Sequence, residues 1–188
     1  MNTKRCFAVI LLLFMVLTVM PVTASAAAKA SGNCGVDVQW SLDAGVLKIS
    51  GTGAMANYKN STYGAAPWYA YRNEITEVVI SDGVTNIGAY AFYNCVKLTK
   101  VTIGKDVESI GNSAFSACLE LKQLTLPNKL KQIDGLAFAV TGLTGIRIPA
   151  SVEMIDPTAF MNCDNFKSIT VDSKNTVYSS DSKGILFN

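Results

Sequence analysis

Residues 98–120 read LTKVTIGKDVESIGNSAFSACLE, and the same phrase recurs on either side of them. In register lie ITEVVISDGVTNIGAYAFYNCVK from Ile75, LKQLTLPNKLKQIDGLAFAVTG from Leu121 and LTGIRIPASVEMIDPTAFMNCDN from Leu143. A partial fifth unit, FKSITV, starts at Phe166. Phe92, Phe115, Phe138 and Phe160 each follow an alanine, at intervals of 23, 23 and 22 residues. Self-similarity at a fixed period of this length marks a stack of structural units that contact mainly their neighbours. Each unit carries apolar residues at fixed positions that it cannot bury alone, and stacking lays Phe on Phe and Ile on Ile.

Within each unit Val101 and Ile103 alternate with Lys100 and Thr102, and so do Val78 and Ile80, Leu124 and Leu126, Ile146 and Ile148, and Ile169 and Val171 with their neighbours. A period of two predicts a half-buried strand. Turn residues follow it: Asp82-Gly83, Gly104-Lys105-Asp106, Pro127-Asn128 and Pro149-Ala150. Val84-x-x-Ile87 and its copies predict a shorter return strand. The A-F-x-x-C segment is too short for an independent helix and predicts one or two helical or 3₁₀ turns held by packing. The fold class is therefore a β-rich repeat solenoid of ~23-residue strand–turn–strand–short helix units.

The chain opens with a basic MNTKR, an apolar run from Cys6 to Met20 and small residues at Ala24-Ser25-Ala26. This is the pattern of a secretory signal peptide, removed after Ala26 or, as second choice, Ala28. Residues 1–26 are the export segment, 27–74 an N-terminal linker and β-hairpin cap with a degenerate half-unit, and 75–188 the solenoid of four full units and a partial, truncated fifth. Removal of the signal takes two of the 16 basic residues and none of the 14 acidic ones, leaving 14 of each. No polybasic run remains. Nucleic acid is excluded as a partner on this count, and the membrane enters only through the signal peptide during export.

The hairpin is read from VDVQWSL and VLKISGTG around Asp43-Ala44-Gly45. PWYAYRNEI then places Trp68 24 residues before Phe92. Trp40, Trp68, Tyr69 and Tyr71 admit two readings, a cap packed on the first unit or an aromatic platform for sugar. An open end would expose strand edges and core, which favours the cap. Asn60-Ser61-Thr62 is a glycosylation sequon, a weak motif on its own.

Four cysteines survive export: Cys34, Cys95, Cys118 and Cys163. The last three share one column, in which the third unit carries Val140 or Thr141. Interchange with other medium-sized residues favours buried thiols. A bridge between Cys95 and Cys118 stays open as the alternative in an oxidising compartment. No histidine is present, which removes Ser–His and Cys–His nucleophilic systems and weakens any metal reading. Glu77, Asp82, Asp106, Glu108, Asp134, Glu153 and Asp156 fall at turn or exposed positions, so the chain is read as having no catalytic residues, no metal and no cofactor. The candidate binding face is the set of outward strand residues: Glu77, Val79, Lys100, Thr102, Gln123, Thr125, Arg147, Ser168 and Thr170.

The phrases CGVDVQWSLDAGVLKISGTGAM, PWYAYRNEI, V-T-x-I-G-x-x-A-F-x-x-C and NTVYSSDSKGILFN resemble bacterial BspA-like leucine-rich-repeat surface proteins, over nearly all of Cys34 to Asn188. The resemblance implies an exported or surface-attached repeat scaffold, with some members implicated in adhesion to host matrix proteins or other bacteria. It implies no catalysis and no fixed ligand residues. The implied partner is a host matrix or bacterial surface protein, or a glycan; a spacer role within a larger surface protein is the alternative function. The family's GILFN phrase usually runs on into further strands. This chain stops at Asn188, which leads us to expect an uncapped last unit.

Overall fold

The computed structural model describes residues 29–60, 65–181 and 186–187. The segment expected to direct export (with Cys6 in it), Ser61-Thr62 of the sequon, and Ser182, Lys183, Gly184, Ile185 and Asn188 of the tail phrase lie outside them. The first strands are β1 (Ala30–Asn33), β2 (Val38–Asp43), β3 (Val46–Gly51) and β4 (Gly53–Ala54). The first unit supplies β5 (Glu77–Ile80) and β6 (Val84–Ile87), the second β7 (Lys100–Thr102) and β8 (Ser109–Ile110). The third supplies only β9 (Gln132–Ile133), and the fourth β10 (Gly145–Ile148) and β11 (Met154–Ile155). β12 (Ser168–Val171), β13 (Ser179–Ser180) and β14 (Leu186–Phe187) complete the described chain.

The hairpin forms as read. Asp43 faces Val46 across a two-residue loop with Ala44 at φ 46° and Gly45 at φ 81°, the geometry whose twist suits a hairpin. Val38, Trp40, Leu42, Leu47 and Ile49 point inward and are buried. β1 pairs antiparallel with β2, although its sequence, ASGN, was read as linker. Main-chain bonds hold it, and Gly32 lets it lie over Trp40: a Cβ there would stand 3.0 Å from the indole Nε1.

From β3 to β12 the pairing turns parallel, with each strand set on its counterpart one unit away, and β13 and β14 then pair antiparallel with each other. Val78 faces Val101, Ile87 faces Ile110, Ile110 faces Ile133, and Ile146 faces Ile169. One sheet runs β4–β6–β8–β9–β11 without interruption. The other runs β1–β2–β3–β5–β7, stops, and resumes as β10–β12. The strand predicted around Leu124 and Leu126 does not form. The other units place β-branched pairs at these two positions, while the third places leucines, which suit a pleated strand less well. Val101, Ile103 and Leu124 are only partly buried beside the interruption, whereas Val78, Ile80, Ile146 and Ile148 are buried.

The aromatic column forms a continuous spine. Trp68 stacks on Phe92 at 5.8 Å, Phe92 on Phe115 at 5.1 Å, Phe115 on Phe138 at 5.6 Å and Phe138 on Phe160 at 5.5 Å, with ring planes within 24° of parallel. Phe166 stacks on Phe160 and ends the series.

The A-F-x-x-C segments are not helical, which corrects the short-helix expectation. Their N–H groups alternate in destination. Ala91, Tyr93 and Cys95 donate three residues back within the unit, to Gly88, Tyr90 and Phe92. Tyr90, Phe92 and Asn94 donate instead across to Asn112, Ala114 and Ser116 of the next unit. The second unit repeats this onto the third, through Ser113, Phe115 and Ala117. A helix would keep every N–H bonded along its own axis; here half of them join the units. The alternation requires left-handed residues at two columns: Tyr90, Ser113 and Leu136, then Asn94, Ala117, Val140 and Asn162. The one 3₁₀ turn among the described residues, Tyr69–Tyr71, precedes the first full unit. There the indole Nε1 of Trp68 donates to Ala91 O at 2.7 Å.

The fourth unit is covered on its return-strand side by the partial fifth. Asn175 and Tyr178 stand where earlier units carry valine or leucine and isoleucine. Asn175 Nδ2 donates to Pro149 O and Val152 O, and the Tyr178 hydroxyl accepts from Ile155 N at 2.9 Å. Edge groups of the fourth unit that a regular return strand in the fifth would satisfy are thus met by side chains of the partial fifth unit.

Two substitutions check this account. Phe115→Ala, at a fully buried position between two stacked rings, is expected to cost about 3–5 kcal/mol in equilibrium urea unfolding. Val140 is β-branched, partly exposed and left-handed at φ 57° in a column where Asn94 and Asn162 also stand. Val140→Asn is expected to raise stability by about 1 kcal/mol in the same measurement, and a lower midpoint would refute the strain.

Candidate interaction face

Outward residues of the strand side fall into two columns because strand side chains alternate in direction. Of the nine candidates, Lys100, Thr102, Gln123, Thr125, Arg147 and Thr170 are exposed and Glu77, Val79 and Ser168 half-buried. The interruption divides them. Glu77, Val79, Lys100 and Thr102 stand on β5 and β7, with Lys100 Nζ 2.8 Å from Glu77 Oε1. Gln123, Thr125, Arg147, Ser168 and Thr170 line one open groove of about 430 Å³, together with Thr144 and Gly145. The column running Glu77, Lys100, Gln123, Gly145, Ser168 shrinks along the stack, and the hollow opens where the side chains are smallest. Gly145 also makes room for backbone: a Cβ there would lie 2.9 Å from Ser168 O. Thr144 lies outside the outward columns, and Gly145 stands in the same column as Gln123 and Ser168.

The carboxylates read as turn residues are tied along the stack. Asp82 meets Lys105 at 2.8 Å, Asp106 meets Lys129 at 2.7 Å and Glu108 meets Lys131 at 2.8 Å, each bridging neighbouring units. Hydrogen bonds from these lysines hold all three carboxyls below their ordinary range. Asp82 and Asp106 also accept main-chain N–H bonds, from Lys105 and Gly83. Arg147 pairs with Asp172 at 2.7 Å, and hydrogen bonding, led by the Lys174 N–H, lowers that carboxyl too. Exposed pairs of this kind stabilise little singly. Their effect is to leave a face of balanced charge. Among the described residues no group of three metal-ligating side chains comes together, and no helix is long and apolar enough to cross a membrane.

Trp40 and Trp68 are buried, packed edge to face at 5.7 Å, and so do not form a sugar platform. Tyr69 and Tyr71 are half-buried and covered by cations, Arg72 lying 4.3 Å from the Tyr69 ring centroid and Lys29 5.1 Å from that of Tyr71.

The cysteine column is Cys95, Cys118, Thr141, Cys163; these three cysteines and Cys34 are free thiols, as are all cysteines among the described residues. Cys118 Sγ donates to Phe92 O at 3.3 Å, and Thr141 Oγ1, standing in the same column, donates to Phe138 O at 2.8 Å. Burial pushes Cys34 up to about 11 and Cys95 up to about 12, and Cys118 well above its ordinary value.

With this geometry in hand, comparison with known proteins is direct. The BspA type leucine rich repeat region matches residues 67–182 in six copies, a span that takes in the Trp68 half-unit and the partial unit as well as the four full ones. The chain belongs to this family. It is similar to a leucine-rich repeat protein of Eubacterium ventriosum, at 30% identity and TM-score 0.69, covering 85% of this chain and 48% of that one. A leucine-rich repeat protein of Bacteroides ovatus is 28% identical with TM-score 0.52, covering 71% of this chain and 39% of that one. The Treponema pallidum leucine rich repeat protein, at 23% identity and TM-score 0.53, shares the fold, with 73% and 71% covered. The chain thus spans less than half the length of the first two. Comparison with the curated proteins found no match.

The titrating groups give opposite pH limits. The paired carboxyls bind protons less readily folded than unfolded. Their contribution is full above the ordinary values of 3.8 for Asp82 and Asp106 and 4.5 for Glu108, and is lost as pH falls through the lower folded ones. The buried thiols behave inversely: their contribution is full below 9.0 and is lost as pH climbs, for Cys95 through about 12. The unfolding midpoint is therefore expected to be level from pH 5 to 8 and to drop on both sides. Under native conditions at pH 8, Cys34, Cys95 and Cys118 should resist a thiol reagent that labels them and Cys163 in the unfolded chain. A disulfide recovered in the native protein would contradict this.

Proposed function

We propose that the chain is an exported, non-catalytic repeat scaffold whose strand face engages a protein partner at the bacterial cell surface. The units form a leucine-rich-repeat solenoid over 75–188, and the hairpin within 27–74 caps its first unit. The observation that carries this reading is the in-register stacking. It aligns Glu77 with Lys100 and Val79 with Thr102 on one side of the third unit, and Arg147 with Thr170 on the other, a geometry suited to many modest contacts rather than one pocket. The signal-peptide pattern supports export. Partner proteins of host matrix or of other bacteria fit the family resemblance, and glycan recognition is the weaker option now that the tryptophans are buried.

A second reading has its own support. Because the chain spans 48% and 39% of two longer relatives, it also suits a spacer that presents other segments.

Purified host matrix proteins, tested singly by surface plasmon resonance, separate the two. Binding that falls at least about tenfold when Lys100, Thr102, Gln123 and Arg147 are all replaced by alanine, with an unchanged unfolding midpoint, supports the face. Binding that survives these replacements places recognition elsewhere. A chain that binds none of them supports the spacer.

A further inference from the structure

The interruption at the third unit leaves main chain unspent. Neighbouring units are normally laced by main-chain bonds on the strand side: Thr99 N donates to Thr76 O, and Lys167 N to Thr144 O. Between residues 99–103 and 122–126 no such bond forms among the described residues. Of residues 122–126, only Lys122 C=O is engaged with a neighbouring unit, accepting from the Thr144 N–H and, at 3.4 Å, its hydroxyl. The other sheet and the ring spine pass through this unit intact, so residues 122–126 stay in place, with exposed Gln123 and Thr125 alternating with half-buried Leu124 and buried Leu126 as an extended run would have them. Gln123 and Thr125 are exposed there, and both border the hollow over Gly145.

We infer that this groove captures an extended polypeptide segment through its main chain. This rests on the scaffold reading and narrows it to one subsite and one class of ligand. Unpaired N–H and C=O groups along an extended segment are the template on which a further strand adds. Gly145 keeps the floor bare, so that a ligand backbone can approach closely. Hydroxyls of Thr125, Ser168 and Thr170 can take the bonds of a passing strand. The described lining carries no aromatic ring to stack a pyranose, and its one cation, Arg147, is already paired with Asp172, which disfavours sugars and polyanions. A peptide main chain, neutral and rich in both donors and acceptors, is the complementary chemistry.

The test pans a phage-displayed library of random dodecapeptides against the full chain and remakes the recovered sequences as synthetic peptides for calorimetry. Capture through main chain predicts that N-methylation at alternate residues weakens binding at least about tenfold, while methylation at the intervening residues does not. The double variant Gln123→Lys, Thr125→Lys, both at exposed positions, is expected to abolish binding. Val36→Ala, at a fully exposed position outside the strand face, is expected to leave it within about twofold. Peptides insensitive to the double variant, or equal loss from either methylation pattern, overturn the inference. So does groove-dependent binding of cellohexaose in place of any peptide. Matrix-protein binding that depends on the face while panning yields no such peptide overturns this inference alone; failure of both takes the scaffold reading with it.

Discussion

The structure depends on a backbone constraint: in the A-F-x-x-C segment alternate N–H groups point out of the unit and into the next. Once Tyr90, Phe92 and Asn94 donate sideways, the segment cannot be a helix, and the following unit must sit at strand spacing to accept. That spacing, close to 5 Å, brings the aromatic rings to 5.1–5.6 Å through the full units. Rings and main chain thus enforce one another. Loss of a ring leaves a void bordered by two further rings, and loss of the lateral bonds would let the rings separate.

Much of this was legible in the sequence. The interval of 23 residues located the units, the alternation located most of the strands, and the alanine–phenylalanine pair located the spine. What escaped has physical reasons. The turns were read as short helices because alanine, phenylalanine and cysteine are compatible with either, and only the destination of each N–H distinguishes them. The missing third strand differs from its neighbours by leucine in place of valine or isoleucine, a preference too weak to read without seeing the gap. β1 escaped because Ala30–Asn33 is held by pairing and has no apolar pattern.

The candidate face was legible as a list and illegible as a shape. Alternation gave the outward residues correctly, but no local rule says that the third unit parts from the second. The division into a charged half around Glu77 and Lys100 and a hollow half around Gly145 follows from that parting. Residues without side-chain chemistry drop out of any list of functional groups, yet in the hollow half a missing side chain sets the form of the surface.

The sideways bonds also have a sense. On the turn side the first three full units give their hydrogens toward higher residue numbers, and each later unit through the fourth receives from the one before it, so the two directions along the stack are chemically different. At one terminus an indole of Trp68 supplies a donor, and at the other an amide and a phenol, of Asn175 and Tyr178, take over the closing role. Interior units share this turn-side pattern, whereas the two closing segments do not. A gene encoding such a chain can gain or lose whole modules by recombination in its middle, provided each break respects the period and both ends are kept.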